Sequence, residues 1–135
     1  MPGSYQQWSS PAQPSSVGQL RRDVGAFAAT GGVTGEQLGD VRLCLSEAVT
    51  NSVVHAFRDG RAAGTIVVSA RFGAAGLVLK VSDDGMGYRP RTDSPGLGIG
   101  IPTIGALSTS MSFGASASGG TELSMTFAHP RTKES

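Results

Sequence analysis

The stretch LCLSEAVTNSVVHAF, residues 43–57, reads as an amphipathic helix, yet it sets Glu47, Asn51 and His55 four residues apart. At about 100° per residue, Val41, Cys44, Leu45, Ala48, Val49, Ser52 and Ala56 fall on one face, the core face. Glu47, Asn51 and His55 form a slanted stripe beside it, and Leu43 and Val54 lie on the other side of that stripe. A solvated face is normally flanked by further polar residues. A polar stripe between two apolar borders instead suits the wall of a cleft, where Asn offers an oxygen to a hard cation and Glu acts as a base or orients water. The helix alone leaves a plainer alternative open. Glu47 and Asn51 would then be a polar margin, and His55 a C-terminal charge favoured by the helix dipole.

Working outward, Val17, Leu20, Val24 and Phe27 repeat at helical spacing and predict a helix over residues 17–29, with Ser15 or Ser16 as its cap. Gly31-Gly32 ends it, and Thr34-Gly35-Glu36-Gln37 has the form of a capping box that starts the second helix near Gly35. Asp59-Gly60 breaks that helix after Phe57. The period then changes. Residues 65–72 and 77–82 alternate and are rich in β-branched side chains, which predicts a hairpin turning at 73–76. Residues 83–98 read as loop and 99–107 as a short helix. Residues 110–117 and 121–127 form a second hairpin around Gly119-Gly120. Hairpin-joined strands between helices predict an α+β two-layer sandwich, a mainly antiparallel (mixed) sheet with helices on one face.

Residues 1–14, rich in Ser, Gln and Pro, are expected to be a loose tail or an edge strand near residues 5–8; residues 15–129 form one domain, and 130–135 a C-terminal tail. The chain of 135 residues suffices for one core of ordinary size. Eleven Lys plus Arg oppose ten Asp plus Glu without a basic run, so direct nucleic-acid binding is not expected. Cys44 is the single cysteine, which excludes an intrachain disulfide. No apolar run is long enough to cross a membrane and no secretory signal pattern opens the chain, so the expected setting is cytoplasmic.

Two glycine loops narrow the chemistry. VSDDGMGY, residues 81–88, follows a strand and gives Asp83, Gly85 and Gly87 as D-x-G-x-G. A carboxylate at a strand end can accept from an exocyclic amine such as that of adenine, and glycines admit a flat ring close to the backbone. Taken alone, the same pattern also fits a plain turn. GLGIGIP, residues 96–102, gives Gly96, Gly98 and Gly100 at a helix start, where free N–H groups suit phosphate oxygens. There is no GxxxxGK[ST] loop, and the only lysines are Lys80 and Lys133. No βαβ unit surrounds GLGIGI.

The order is what carries specificity: E-x-x-x-N-x-x-x-H on a helix, D-x-G-x-G, G-x-G-x-G before a helix, then GGT at a late strand start. In this the chain resembles the GHKL superfamily of ATP-binding (HATPase) domains. Within it, SEAVTNSVVHAF looks like the N-box of the anti-sigma factor serine/threonine kinases of the RsbW and SpoIIAB type, with RsbT-like kinases as near relatives. PSSVGQLRRDVGAF looks like the first helix of that group. The resemblance covers about residues 11–128.

The resemblance implies that Asn51 holds a Mg²⁺ bridging the ATP phosphates, and that Glu47 takes the proton from a substrate Ser or Thr hydroxyl. It implies that Asp83 binds the adenine amino group, in a pocket shaped by Gly85 and Gly87, with the Thr121 hydroxyl near the adenine end. Gly96, Gly98 and Gly100 would face phosphates, and His55 would support by packing or hydrogen bonding. Arg89 and Arg91, in the lid, suit either forked hydrogen bonds to the γ-phosphate or the plain role of solvated loop charges. The implied function is an ATP- and Mg²⁺-dependent serine/threonine kinase regulating transcription by partner switching. Its partners would be a STAS-domain anti-sigma antagonist, an alternative sigma factor and a second copy in a homodimer. The lid at residues 88–95 is only eight residues long, where longer ones are usual in these kinases. The alternative is therefore an ATP-binding regulatory module of the same fold without phosphotransfer. A detached histidine-kinase domain fits less well, since neither His55 nor His129 lies on a dimerisation helix.

Overall fold

A computed structural model describes residues 4–58, 64–84, 97–115 and 120–128, with the side chains of residues 55–58 and 97–101 outside the description. In chain order the elements are β1 (Tyr5–Pro11), α1 (Ser15–Thr30), α2 (Gly35–Arg58), β2 (Thr65–Gly73), β3 (Gly76–Asp83), α3 (Leu97–Leu107), β4 (Ser110–Ala115) and β5 (Thr121–Phe127). The five strands form one sheet in the order β1-β2-β3-β5-β4, and every described pairing is antiparallel. This is the expected α+β architecture of the GHKL fold.

Alternation explains which face is covered. Ile66, Val68, Ala70 and Phe72 on β2, Leu77, Leu79 and Val81 on β3, and Leu123, Met125 and Phe127 on β5 are buried. Successive side chains point to opposite faces, so these rows share one side. There they meet Leu20, Val24 and Ala28 of α1, Val41, Cys44, Leu45, Ala48, Val49 and Val53 of α2, and Ile104 of α3. The other face is polar, with Gln7, Ser69, Lys80 and Ser124 in one register row. Gly76 has φ +128°, and a Cβ there would overlap the Phe127 carbonyl oxygen, so only glycine serves this turn.

The edge strand is longer than the sequence indicates. β1 stays in register with β2 from Tyr5 opposite Arg71 to Pro11 opposite Thr65, and Pro is tolerated at its outer end. Trp8 meets Phe27 edge-on at 5.9 Å, and Phe27 stacks on Phe72 at 5.4 Å, which fastens this strand to α1 and the sheet.

The predicted side-chain cap of α1 and the Gln37 half of the capping box at α2 are corrected. Pro14 occupies the N-cap of α1 without a side-chain cap, and the Ser16 hydroxyl donates to the Pro11 carbonyl at 2.7 Å, tying the end of β1 to the helix. At α2, Gln37 does not close the capping box: its Nε2 donates to the Ala128 carbonyl at 2.8 Å, and its Oε1 has no partner among the described residues. Ser16 is drawn to a carbonyl five residues back, and Gln37 to one that only the tertiary fold brings near.

A stability contrast follows from the packing. Leu79→Ala, in the central strand at 0% exposure, is expected to destabilise by about 2–5 kcal/mol through lost transfer energy and a cavity. Val54→Ala, at 46% exposure, should stay within about 0.5 kcal/mol. Urea midpoints at constant slope measure both, and equal losses would contradict this assignment of the core.

Candidate functional site

Glu47 and Asn51 occur on α2 about one helical turn apart, and both are half-buried beside the core row. The expected core face holds for Val41, Cys44, Leu45, Ala48 and Val49, but Ser52 is half-buried and Val53, at 5% exposure, joins the core. Leu43 and Val54 are exposed apolar borders. α2 packs against β3, whose end carries Asp83, and against α3, whose first turn carries Gly98 and Gly100. The backbone of His55 lies within α2, while its side chain is outside the description. Gly85, Gly87, Arg89, Arg91 and Gly96 lie outside the described residues.

Asn51, like Gln37 at the start of the same helix, carries a buried polar atom without a partner among the described residues. In Asn51 that atom is Nδ2. Leaving a buried amide group unpaired costs about 1–3 kcal/mol, so such a group calls for a reason. A half-turn of the amide exchanges nitrogen for oxygen, and an amide oxygen there suits a hard cation. Among the described residues no cluster of three or more His, Cys, Asp or Glu could hold a metal. Magnesium in particular needs only one or two protein oxygens when water and phosphate supply the rest. Asn51 therefore fits such an ion.

Cys44, one turn before Glu47, is not a nucleophile. Burial, then the carboxylates of Asp40 and Glu47, push its thiol up to about 11. It stays protonated at neutral pH and packs as an apolar residue.

The two aspartates at the end of β3 have divided their work. Asp84 Oδ1 accepts from the Thr65 main-chain N–H at 2.9 Å, and its own N–H donates to the Thr65 carbonyl at 3.4 Å, tethering β3 to the start of β2. Asp84 is thus a cross-strand tether, not a local turn residue. Asp83 instead accepts at Oδ2 from the Thr121 hydroxyl at 2.7 Å, across to the first residue of β5. Thr121 is 8% exposed, so this bond is shielded on its side, and Asp83 itself is half-buried. Sequence reading placed Asp83 and Thr121 at one end of a ligand but missed their direct bond. It also missed the closeness of Gly120, whose only trace in the sequence is the GGT triplet.

An antiparallel sheet backed by helices carries Glu47 and Asn51 on the helix packed against its central strand, and Asp83 bound to Thr121 at a strand end. The chain belongs to the histidine kinase-like ATPase domain family, whose profile matches residues 10–127. It is 34% identical over 88 residues to the serine-protein kinase RsbW of Listeria innocua, covering 65% of this chain and 55% of that protein. It is 34% identical over 96 residues to RsbW of Bacillus licheniformis, covering 70% and 58%. Against RsbW of Bacillus subtilis it is 35% identical over 83 residues, covering 60% and 50%. The chain thus spans about half the length of the curated relatives it matches. The likeness read from the ordered motifs, to the GHKL domains and within them to RsbW, is borne out. No helix among the described residues is long and apolar enough to cross a membrane.

Proposed function

We propose that this chain is an ATP- and Mg²⁺-dependent serine/threonine protein kinase acting as an anti-sigma regulatory factor. Its substrate in this reading is a STAS-domain antagonist phosphorylated on Ser or Thr, and its other partner an alternative sigma factor. The observation that carries the reading is the buried Nδ2 of Asn51, without a partner among the described residues, one turn from Glu47 in a domain of the ATPase family. The RsbW relatives, named as serine-protein kinases, support the choice of hydroxyl acceptor.

Each side chain has a role in this reading. Asn51 would hold Mg²⁺ through its amide oxygen, and the ion would supply charge neutralisation to the phosphate oxygens. Glu47 accepts the proton of the substrate hydroxyl as that oxygen bonds to the γ-phosphorus and the bond to the leaving ADP oxygen breaks. Asp83 accepts from the adenine amino group while Thr121 holds its second oxygen. Gly85 and Gly87 shape the base pocket, and Gly96, Gly98 and Gly100 offer main-chain N–H groups to phosphates. Arg89 and Arg91 close on the γ-phosphate, and His55 supports the helix end.

The test is transfer of label from γ-labelled ATP, with Mg²⁺, to a purified STAS-domain antagonist. Label on a Ser or Thr of the antagonist is expected. Intact ATP binding without transfer would replace this reading with an ATP-binding regulatory module. Asp83→Asn makes a separate prediction. Guanine presents a carbonyl where adenine presents its amine, so a carboxylate discriminates between them. A hydrogen bond to a charged group is worth about 1.5–3 kcal/mol, so the variant should lose about ten- to hundredfold of its preference for ATP over GTP. Competition binding measures this, and an unchanged preference would contradict the role of Asp83.

A further inference from the structure

We propose that Gly120 is a positioning residue for Asp83, the half of a clamp that lets Thr121 hold the carboxylate in place for a purine base. The inference rests on the reading of Asp83 as the purine anchor and adds a residue and a specificity role to it.

Register brings the parts together. β3 and β5 pair as far as Ser82 opposite Glu122, so Asp83 and Thr121 are the next residues outward on adjacent strands. Both continue the buried rows, Leu77, Leu79, Val81 on one strand and Leu123, Met125, Phe127 on the other. Their side chains therefore share the helix-covered face. The hydroxyl-to-carboxylate bond at 2.7 Å closes the pair.

One residue further, the chain must pass directly against Asp83. A Cβ on Gly120 would overlap the Asp83 main-chain carbonyl oxygen, and would stand 2.7 Å from its carbonyl carbon and 2.8 Å from carboxylate Oδ1. Carbon atoms do not approach this closely, and two of the three atoms belong to main chain. Rotating the Asp83 side chain cannot relieve them; the strand ends must separate. Gly120 has no left-handed φ, so what it supplies is space rather than backbone freedom. Asp84 fixes the other flank through Thr65 at 2.9 Å. The strand end is thus held from both sides, and a methyl at Gly120 forces the carboxylate away from its place. A binding group must be held within about 0.5 Å to function. Base recognition should therefore fail before the core does.

Calorimetric titration of the full chain with ATP and with GTP, both with Mg²⁺, tests this on the parent, Gly120→Ala, Asp83→Asn and the double variant. Gly120→Ala should lower the preference for ATP over GTP about tenfold or more, and the double variant should show no further loss beyond Asp83→Asn. A parental preference in Gly120→Ala, or losses that add in full, would overturn the proposal while leaving Asp83 as the anchor. An unchanged preference in Asp83→Asn, or no ATP binding by the parent, would remove the anchor itself and the proposal with it. Should Gly120→Ala lose its cooperative melt, Thr121→Val keeps the side-chain shape and removes the 2.7 Å bond. The clamp then requires the same fall in preference, and a parental ratio would overturn it.

Discussion

Asn51→Ala is expected to lose ATP affinity by about two orders of magnitude in the presence of Mg²⁺, equivalent to about 3 kcal/mol. The same change should leave the nucleotide-free protein as stable as the parent or more so. The two signs come from one observation. The Asn51 Nδ2 is buried on α2 without a hydrogen-bond partner among the described residues, and an unpaired buried donor costs about 1–3 kcal/mol. Alanine removes that penalty and is also the better helix former. A residue kept for folding would show the reverse, a less stable free protein. Thermal melts separate the cases. The parent should gain stability with Mg²⁺-ATP by mass action, and the variant should melt higher alone but gain little from nucleotide. Unchanged affinity would sink the assignment of Asn51 to the metal, and a large loss of free-protein stability would mark its amide as structural.

Glu47→Gln is expected to bind ATP nearly as the parent does and to transfer phosphate about 10²–10⁴-fold more slowly, the usual contribution of a positioned general base. Glutamine keeps the length and polarity of the side chain but cannot take the proton of an attacking hydroxyl at neutral pH. Glu47 stands half-buried about one turn from Asn51 on the same helix, so a base at this position borders the same space as a metal held by Asn51. Single-turnover transfer to the proposed STAS-domain substrate, with nucleotide affinity measured in parallel, separates chemistry from binding. Retained transfer would refute the base role, and lost ATP binding would show that Glu47 serves the nucleotide instead.

The long periodic elements were legible in the sequence because one physical pattern dominates each. The alternation in TELSMTF marks β5 at Thr121–Phe127, and the apolar row of α2 marks that helix to within a residue of Gly35–Arg58. Much of what was not legible depends on atoms distant in the chain. Gln37 leaves its box for Ala128, 91 residues away, while Ser16 turns from cap to strand tether through a bend only five residues long that its capping pattern does not specify. The shift from Ser52 to Val53 in the core reflects how α2 rests on its neighbours, which an ideal wheel does not contain. β1 extends to Pro11 because β2 offers a template along that whole length.

The candidate site was legible as an order of motifs and as a side of a helix. Its internal division of labour was not. Adjacent aspartates are equivalent in a string, and only the fold shows Asp84 bound to Thr65 and Asp83 to Thr121. Gly120 reads as one more turn glycine until its distance to Asp83 is seen. The glycines and arginines of residues 85–96 lie outside the described residues, so their roles stand on resemblance.

The central claim is that this chain forms a Mg²⁺-ATP site around Asn51 and Asp83. Calorimetric titration of the full chain with ATP, with and without Mg²⁺, tests it most directly. The account predicts saturable binding that strengthens sharply when Mg²⁺ is present. Heats that stay at the level of dilution through millimolar ATP with Mg²⁺, or binding indifferent to the metal, would contradict it.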